Sequence, residues 1–162
     1  MKVLIADGSS MVADRLLTVI QDIPNVELLA PTLDAQTTMG SIRSNNPEVL
    51  IVDARIPGAR GMEFLRSIRR ENPAMVLIIV SNLVYPRYRK QYEAVGADLF
   101  IDKSNEFIHL FQFVRELVRR PQMQVGTESK DDIREWLASS KLKVGLQLAL
   151  LALSTLSHFI GL

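Results

Sequence analysis

Short apolar runs recur along the chain: VLIA (3–6), VELLA (26–30), VLIV (49–52), MVLIIV (75–80) and LFI (99–101). Between them lie amphipathic stretches at 10–22, 34–45, 61–71, 86–95 and 105–119. The runs are nearly continuous and rich in β-branched residues, which predicts strands covered on both faces. Their alternation with helices of about ten residues implies βαβ crossovers and a parallel sheet. Five such units predict an α/β fold, a doubly wound five-stranded parallel sheet of the flavodoxin-like kind, over residues 1–120. The punctuation agrees. Pro24, Pro47 and Pro73 each precede a strand, where a helix must already have stopped. Gly96 follows the fourth helical stretch, a C-cap position.

Past Pro121 the pattern changes. Residues 121–130, PQMQVGTESK, read as a polar linker, and 131–162 as a helical tail with Ser129 as its N-cap. Residues 144–162 carry no formal charge if His158 is neutral. At ~100° per residue, Gln147, Ser154, Ser157 and His158 fall on one narrow stripe and leave a wide apolar face. Something must cover such a face. Self-association into a homo-oligomer, or docking on its own domain, is the favoured reading, and membrane contact the minority one. Trp136 suits either. The tail is too apolar for a groove-reading helix, so no nucleic acid is expected as a partner.

Composition narrows the classes further. The chain is 48% hydrophobic, enough for a real core, and its net charge of +1 offers no global field for nucleic acid or an anionic membrane. The basic clusters RSIRR, RYRK and RELVRR read as solvated helix faces. There is no cysteine, which excludes disulfides and thiolate metal sites. The opening MKVLIADGSS has one lysine and only a short apolar run, unlike a secretory signal, so a cytoplasmic location is expected.

The candidate chemistry lies at the strand ends. In open parallel sheets, ligands bind outside the carboxyl ends of the strands. There the first strand ends at Asp7, the third at Asp53, the fourth at Ser81 and the fifth at Lys103. Each alone reads as a turn, cap or surface residue. Together, two acids, a hydroxyl and an amine converge on one rim. A divalent cation or an ammonium between the acids would relieve their repulsion, and Mg²⁺ suits so sparse an oxygen set. A carboxylate nucleophile with a lysine and a hydroxyl to hold phosphoryl oxygens is a phosphoryl-accepting arrangement.

The segments VLIADGSS, VLIVDARIPGARGMEFLRSIR, VLIIVSN and VGADLFIDKS, in that order, resemble the receiver domain of bacterial two-component response regulators over about residues 1–120. The resemblance implies the strand order 2-1-3-4-5, Asp53 as phosphoacceptor, and Mg²⁺ held by Asp7, Asp53 and the Arg55 backbone carbonyl. It implies Ser81 as the switch hydroxyl, Lys103 as the phosphoryl-binding lysine and Phe100 as the aromatic that changes rotamer with the hydroxyl. The partner implied upstream is a histidine kinase or phosphotransfer protein. Output would run by protein–protein contact through the face of the fourth helix, fifth strand and fifth helix. Three departures stand out. Gly8 occupies the place of a second acid (a shifted comparison instead puts Ala6 at the first), so Mg²⁺ affinity should fall. Ser104 replaces the proline that usually follows the lysine. Arg55 sets a cation two residues beyond Asp53. The competing readings are a degenerate receiver acting as a phosphorylation-independent binding module, and a flavodoxin-like enzyme or carrier using DGSSM as a phosphate loop.

Overall fold

A computed structural model describes residues 1–83, 85–103 and 107–119 of the chain. Its elements run β1 (Lys2–Ala6), α1 (Ser10–Ile20), β2 (Glu27–Leu28), α2 (Ala35–Asn45), β3 (Val49–Asp53), α3 (Met62–Glu71), β4 (Val76–Ser81), α4 (Pro86–Ala94), β5 (Leu99–Asp102) and α5 (Phe107–Arg119). The expected linker at 121–130, the tail at 131–162 with Ser129 and Trp136, and Ser104 lie outside the described residues. Among the described residues no helix is long and apolar enough to cross a membrane.

The five strands form one parallel sheet in the order β2-β1-β3-β4-β5, the doubly wound arrangement expected from the sequence. The apolar runs do become the strands. Val3–Ala6, Val49–Val52 and Leu77–Val80 are at most 1% exposed, so both sheet faces are covered. Side-chain alternation sorts them into two sets. Leu4, Ala6, Leu50, Val52, Leu77, Ile79 and Phe100 share a core with Ala35 and Ile42 of α2, Leu65 and Ile68 of α3, and Tyr92 of α4. The intervening positions, Val3, Ile5, Ile51, Ile78, Val80 and Ile101, belong to the opposite face, where α1 and α5 meet.

Local chemistry sets the ends of the elements. Ser9 caps α1, its Oγ accepting from the Val12 amide at 3.4 Å, and Asp34 caps α2, its Oδ1 accepting from the Thr37 amide at 2.8 Å. Asn46 ends α2 in the left-handed conformation (φ 48°) just before Pro47. Gly96 (φ 84°) follows the α4 C-cap at Val95, close to its expected place. The strand expected at 26–30 is ladder-paired only at Glu27–Leu28. It lies on the sheet edge, and Pro31 offers no amide. Pairing resumes at Thr32, whose amide donates to the Ile5 carbonyl at 3.0 Å.

Arg69 pins the end of the sheet away from the strand carboxyl termini. From α3 its guanidinium donates to the carbonyls of Gly96 (3.0 Å), Pro73 (3.1 Å) and Met75 (2.6 Å), and pairs with Asp98 Oδ2 at 2.5 Å. The same Asp98 oxygen accepts the Leu77 amide at 2.8 Å. The starts of β4 and β5 are thereby tied to one helix.

Candidate functional site

The four strand ends named from the sequence do meet on one rim. β1 delivers Asp7 to a place only 1% exposed, where its amide donates to the Thr32 carbonyl and its Oδ1 accepts the Ser9 amide at 2.9 Å. Asp53 closes β3, and its Oδ1 accepts the Arg55 amide at 3.0 Å. Lys103 follows β5, anchored by its amide on the Ser81 carbonyl at 3.1 Å. Its ammonium lies between the acids, 2.5 Å from Asp7 Oδ2 and 2.9 Å from Asp53 Oδ2, with the side chain 10% exposed. The sequence allowed either a divalent cation or an ammonium between the acids; the Lys103 ammonium takes that place, so one cation neutralises half of a two-carboxylate charge.

Alternation explains the placement. Asp7, Asp53 and Lys103 continue the side-chain parity of Ile5, Ile51 and Ile101, on the α1–α5 side. Ser81 continues the parity of Leu77 and Ile79, on the α2–α4 side with Phe100. The Ser81 hydroxyl is 1% exposed and accepts the Leu83 amide at 3.0 Å. Phe100 is 6% exposed, stacked on Tyr92 with ring centroids 5.2 Å apart and 13° between planes. The Arg89 guanidinium lies 5.0 Å from the same Phe100 ring.

A cleft of about 430 Å³ opens over the acids. Besides Asp7, Asp53 and Lys103 it is lined by Gly8, Arg55, Pro57, Asn82, Arg15 and Phe107, among others. Arg15 lies over the Phe107 ring at 4.8 Å, a cation–π contact at the mouth. Two further side chains, Arg15 and Arg55, thus bring positive charge to the cleft that the two acids border.

Gly8 and Pro57 fit each other closely. A Cβ on Gly8 would stand 2.5 Å from Pro57 Cδ and 2.8 Å from Cγ. The proline ring therefore fills the space in which a second acid would begin. In keeping with that, no group of three or more His, Cys, Asp or Glu among the described residues is placed to hold a metal ion.

Tyr92, Arg15, Asn82 and Phe107 were not singled out from the sequence. Tyr92 had a signal: it is the aromatic at i+4 from Tyr88 in a helix that is otherwise polar. It is 3% exposed, and burial pushes its phenol above the ordinary value. The Ser81 hydroxyl nearby opposes that rise, while the Asp53 charge adds to it.

Comparison with known proteins now places this geometry. Residues 3–115 match the family model described as response regulator receiver domain. The chain is 32% identical over 121 residues to a protein-glutamate methylesterase/protein-glutamine glutaminase of Chromobacterium violaceum, covering 72% of this chain and 33% of that protein. It is 27% identical over 113 residues to a namesake from Xanthomonas euvesicatoria, covering 70% of this chain and 32% of that one. The chain thus spans about a third of the length of these relatives. Among solved structures, a DNA-binding response regulator of the LuxR family from Staphylococcus aureus superposes with TM-score 0.64 at 26% identity, over 72% of this chain and 97% of that one. The response regulator domain of Thermotoga maritima CheB gives TM-score 0.63 at 23% identity, over 74% and 94%. With the sheet order, the rim of Asp7, Asp53, Ser81 and Lys103, and the family match in agreement, the chain belongs to the response regulator receiver domains of two-component signalling.

Proposed function

We propose that this domain is a phosphorylation-controlled receiver in which Asp53 accepts a phosphoryl group from a histidine kinase or phosphotransfer protein. The supporting observation is the Lys103 ammonium, 2.9 Å from an Asp53 oxygen that borders an open cleft. In the transfer, an Asp53 carboxylate oxygen forms a bond to phosphorus as the bond to the donor nitrogen breaks. Negative charge then grows on the phosphoryl oxygens, and the Lys103 ammonium beside Asp53 stands to receive it, with the Ser81 hydroxyl assigned to the same task once it turns toward Asp53.

The residues present fit Mg²⁺ in kind: the Asp7 and Asp53 carboxylates and the Arg55 carbonyl are all oxygen donors. When bound, the ion would offset phosphoryl charge. Asp7, Asp53 and Lys103 sum to −1, since −1 −1 +1 = −1. A second adjacent acid, as in the family pattern, would make this −2 and match a divalent cation at rest. Here the match arises only once a phosphoryl dianion replaces the Asp53 charge, since −1 −2 +1 = −2. Metal and phosphoryl group are therefore expected to bind together, and the metal alone weakly.

For output, the exposed side of α4 favours protein contact. Tyr85 is 61% exposed, and Arg87 lies 5.6 Å and 4.9 Å from the Tyr85 and Tyr88 rings. Methylesterase activity and DNA binding are named for relatives that this chain matches only in the receiver. The apolar segment 144–162 is read as the means of self-association.

The second reading, a receiver that binds partners without being phosphorylated, draws support from the Gly8–Pro57 contact. Titrating the full chain with beryllofluoride, with and without Mg²⁺, decides between them. A saturable Mg²⁺-dependent change that is lost in Asp53→Asn is expected. No change at saturating ligand in the unaltered chain would overturn the phosphoacceptor reading.

A further inference from the structure

Arg15 holds an unusual place for a surface arginine. It stands in the second turn of α1, is exposed to solvent, and lines the cleft that Asp53 borders. It has no carboxylate partner among the described residues, and both acids of the cleft are taken by Lys103. Its side chain rests instead on Phe107 at the start of α5, the guanidinium carbon 4.8 Å from the ring centroid. A guanidinium on an aromatic ring is held through the face of its plane. Its N–H donors lie in that plane and stay free for an anion. The ring thus seats the cation and limits the rotamer freedom it would lose on binding. Arg55 lines the same cleft and is also exposed, but no ring or carboxylate among the described residues seats its guanidinium.

The charge of the cleft shows what such a cation can hold. Asp7, Asp53, Lys103, Arg15 and Arg55 are the charged side chains that line it, and they sum to −1 −1 +1 +1 +1 = +1. A phosphoryl dianion in place of the Asp53 charge brings the sum to −1 −2 +1 +1 +1 = 0. The acids and Lys103 alone would be left at −2. Pro57 fills the space in which a second acid would begin, so the metal has one carboxylate fewer and protein cations carry more of the phosphoryl charge. We propose that Arg15 is a phosphoryl-positioning residue: seated on Phe107, it donates its in-plane N–H groups to the oxygens of a phosphoryl group at the mouth of the cleft. Lys103, only 10% exposed, holds the group from the floor, and Arg15 from the opening. This role rests on the phosphoacceptor reading for the covalent group on Asp53, but not for the anion site at the mouth.

The test compares the full chain with Arg15→Gln and Arg66→Gln. Arg66 is exposed on α3 and does not line the cleft, so its loss removes the same charge elsewhere. Bound beryllofluoride is followed by its ¹⁹F resonance while Mg²⁺ is titrated at fixed beryllofluoride. A charge-assisted contact at a partly solvated site is worth about three- to tenfold in affinity. The Mg²⁺ midpoint is therefore expected to rise by about that factor in Arg15→Gln and to stay in place in Arg66→Gln. An unchanged midpoint in Arg15→Gln, or equal rises in both variants, overturns the role of Arg15. A second arm needs no phosphorylation. In Asp53→Asn, which removes the acceptor, inorganic phosphate is added without Mg²⁺ and the arginine ¹⁵Nε signals are followed, each assigned by its loss in the matching glutamine variant. A saturable shift of the Arg15 signal with none at Arg66 is expected. An unmoved Arg15 signal, or a shift shared equally with Arg66, overturns the mouth site. If beryllofluoride binds none of the chains and the second arm holds, the mouth site stands and the phosphoacceptor reading fails.

Discussion

Replacing Gly8 with alanine adds one methyl group and no charge, so it isolates the contact with Pro57. The new Cβ would begin 2.5 Å from Pro57 Cδ. Unstrained carbons stand ~3.5–4.0 Å apart, so the two loops must separate by about 1 Å. Pro57 does not yield as a flexible side chain would. Its ring closes on its own backbone, and its carbonyl accepts the Ala35 amide at 2.8 Å, fixing the loop to the start of α2. Overpacking of this kind costs about 1–3 kcal/mol. The smaller unfolded-state entropy of alanine offsets about 0.4–1 kcal/mol of that. The net loss is on the order of 1–2 kcal/mol, a fall in melting temperature of several degrees for a domain of this size. Pro57→Ala removes the offending ring atoms, so in Gly8→Ala/Pro57→Ala the effect of the first substitution should largely vanish. The assay is a double-mutant cycle by urea and thermal denaturation. A Gly8→Ala chain as stable as the unaltered one, or strictly additive single effects, would refute the contact. Gly8→Asp adds a third carboxylate to the same clash, and Mg²⁺ should relieve only the repulsion.

Other outcomes follow from the same geometry. Lys103→Met leaves the buried Asp7 facing the half-buried Asp53 without a cation, at a cost of up to about 3–5 kcal/mol. Mg²⁺ should then raise the melting temperature of that variant more than that of the unaltered chain, and equal shifts would refute the charge count. The Tyr92 phenol, raised by burial above 10.0, holds its proton more tightly folded than unfolded. Its contribution is complete below pH 10.0 and declines as pH rises through the folded value, so Tyr92→Phe should lose less stability than the unaltered chain above that pH. Removing residues 129–162 should lower the mass seen by light scattering, and an unchanged mass would refute self-association.

The strands were legible because burial on both faces writes them as unbroken apolar runs. β2 was overestimated because an edge strand needs few apolar residues, and Pro31 interrupts its ladder in a way that composition does not show. The rim was legible because a parallel sheet sends every strand end to the same side. An ammonium between the acids was one of two alternatives in the sequence; that Lys103 takes the place depends on side-chain parity across three strands. The Gly8–Pro57 fit and the Tyr92–Phe100 stack join residues of different elements, and a linear pattern records neither.

The Lys103–Asp7 pair joins residues 96 positions apart, the end of β1 to the end of β5. Closing a loop of that length is entropically costly, and β5, an edge strand, is the last of the five to leave a ribosome. Until it arrives, Asp7 and Asp53 repel each other with no ammonium between them. The completed site is therefore a report that the whole sheet has assembled. A chain stalled or cleaved before β5 would present Asp7 and Asp53 without that charge balance.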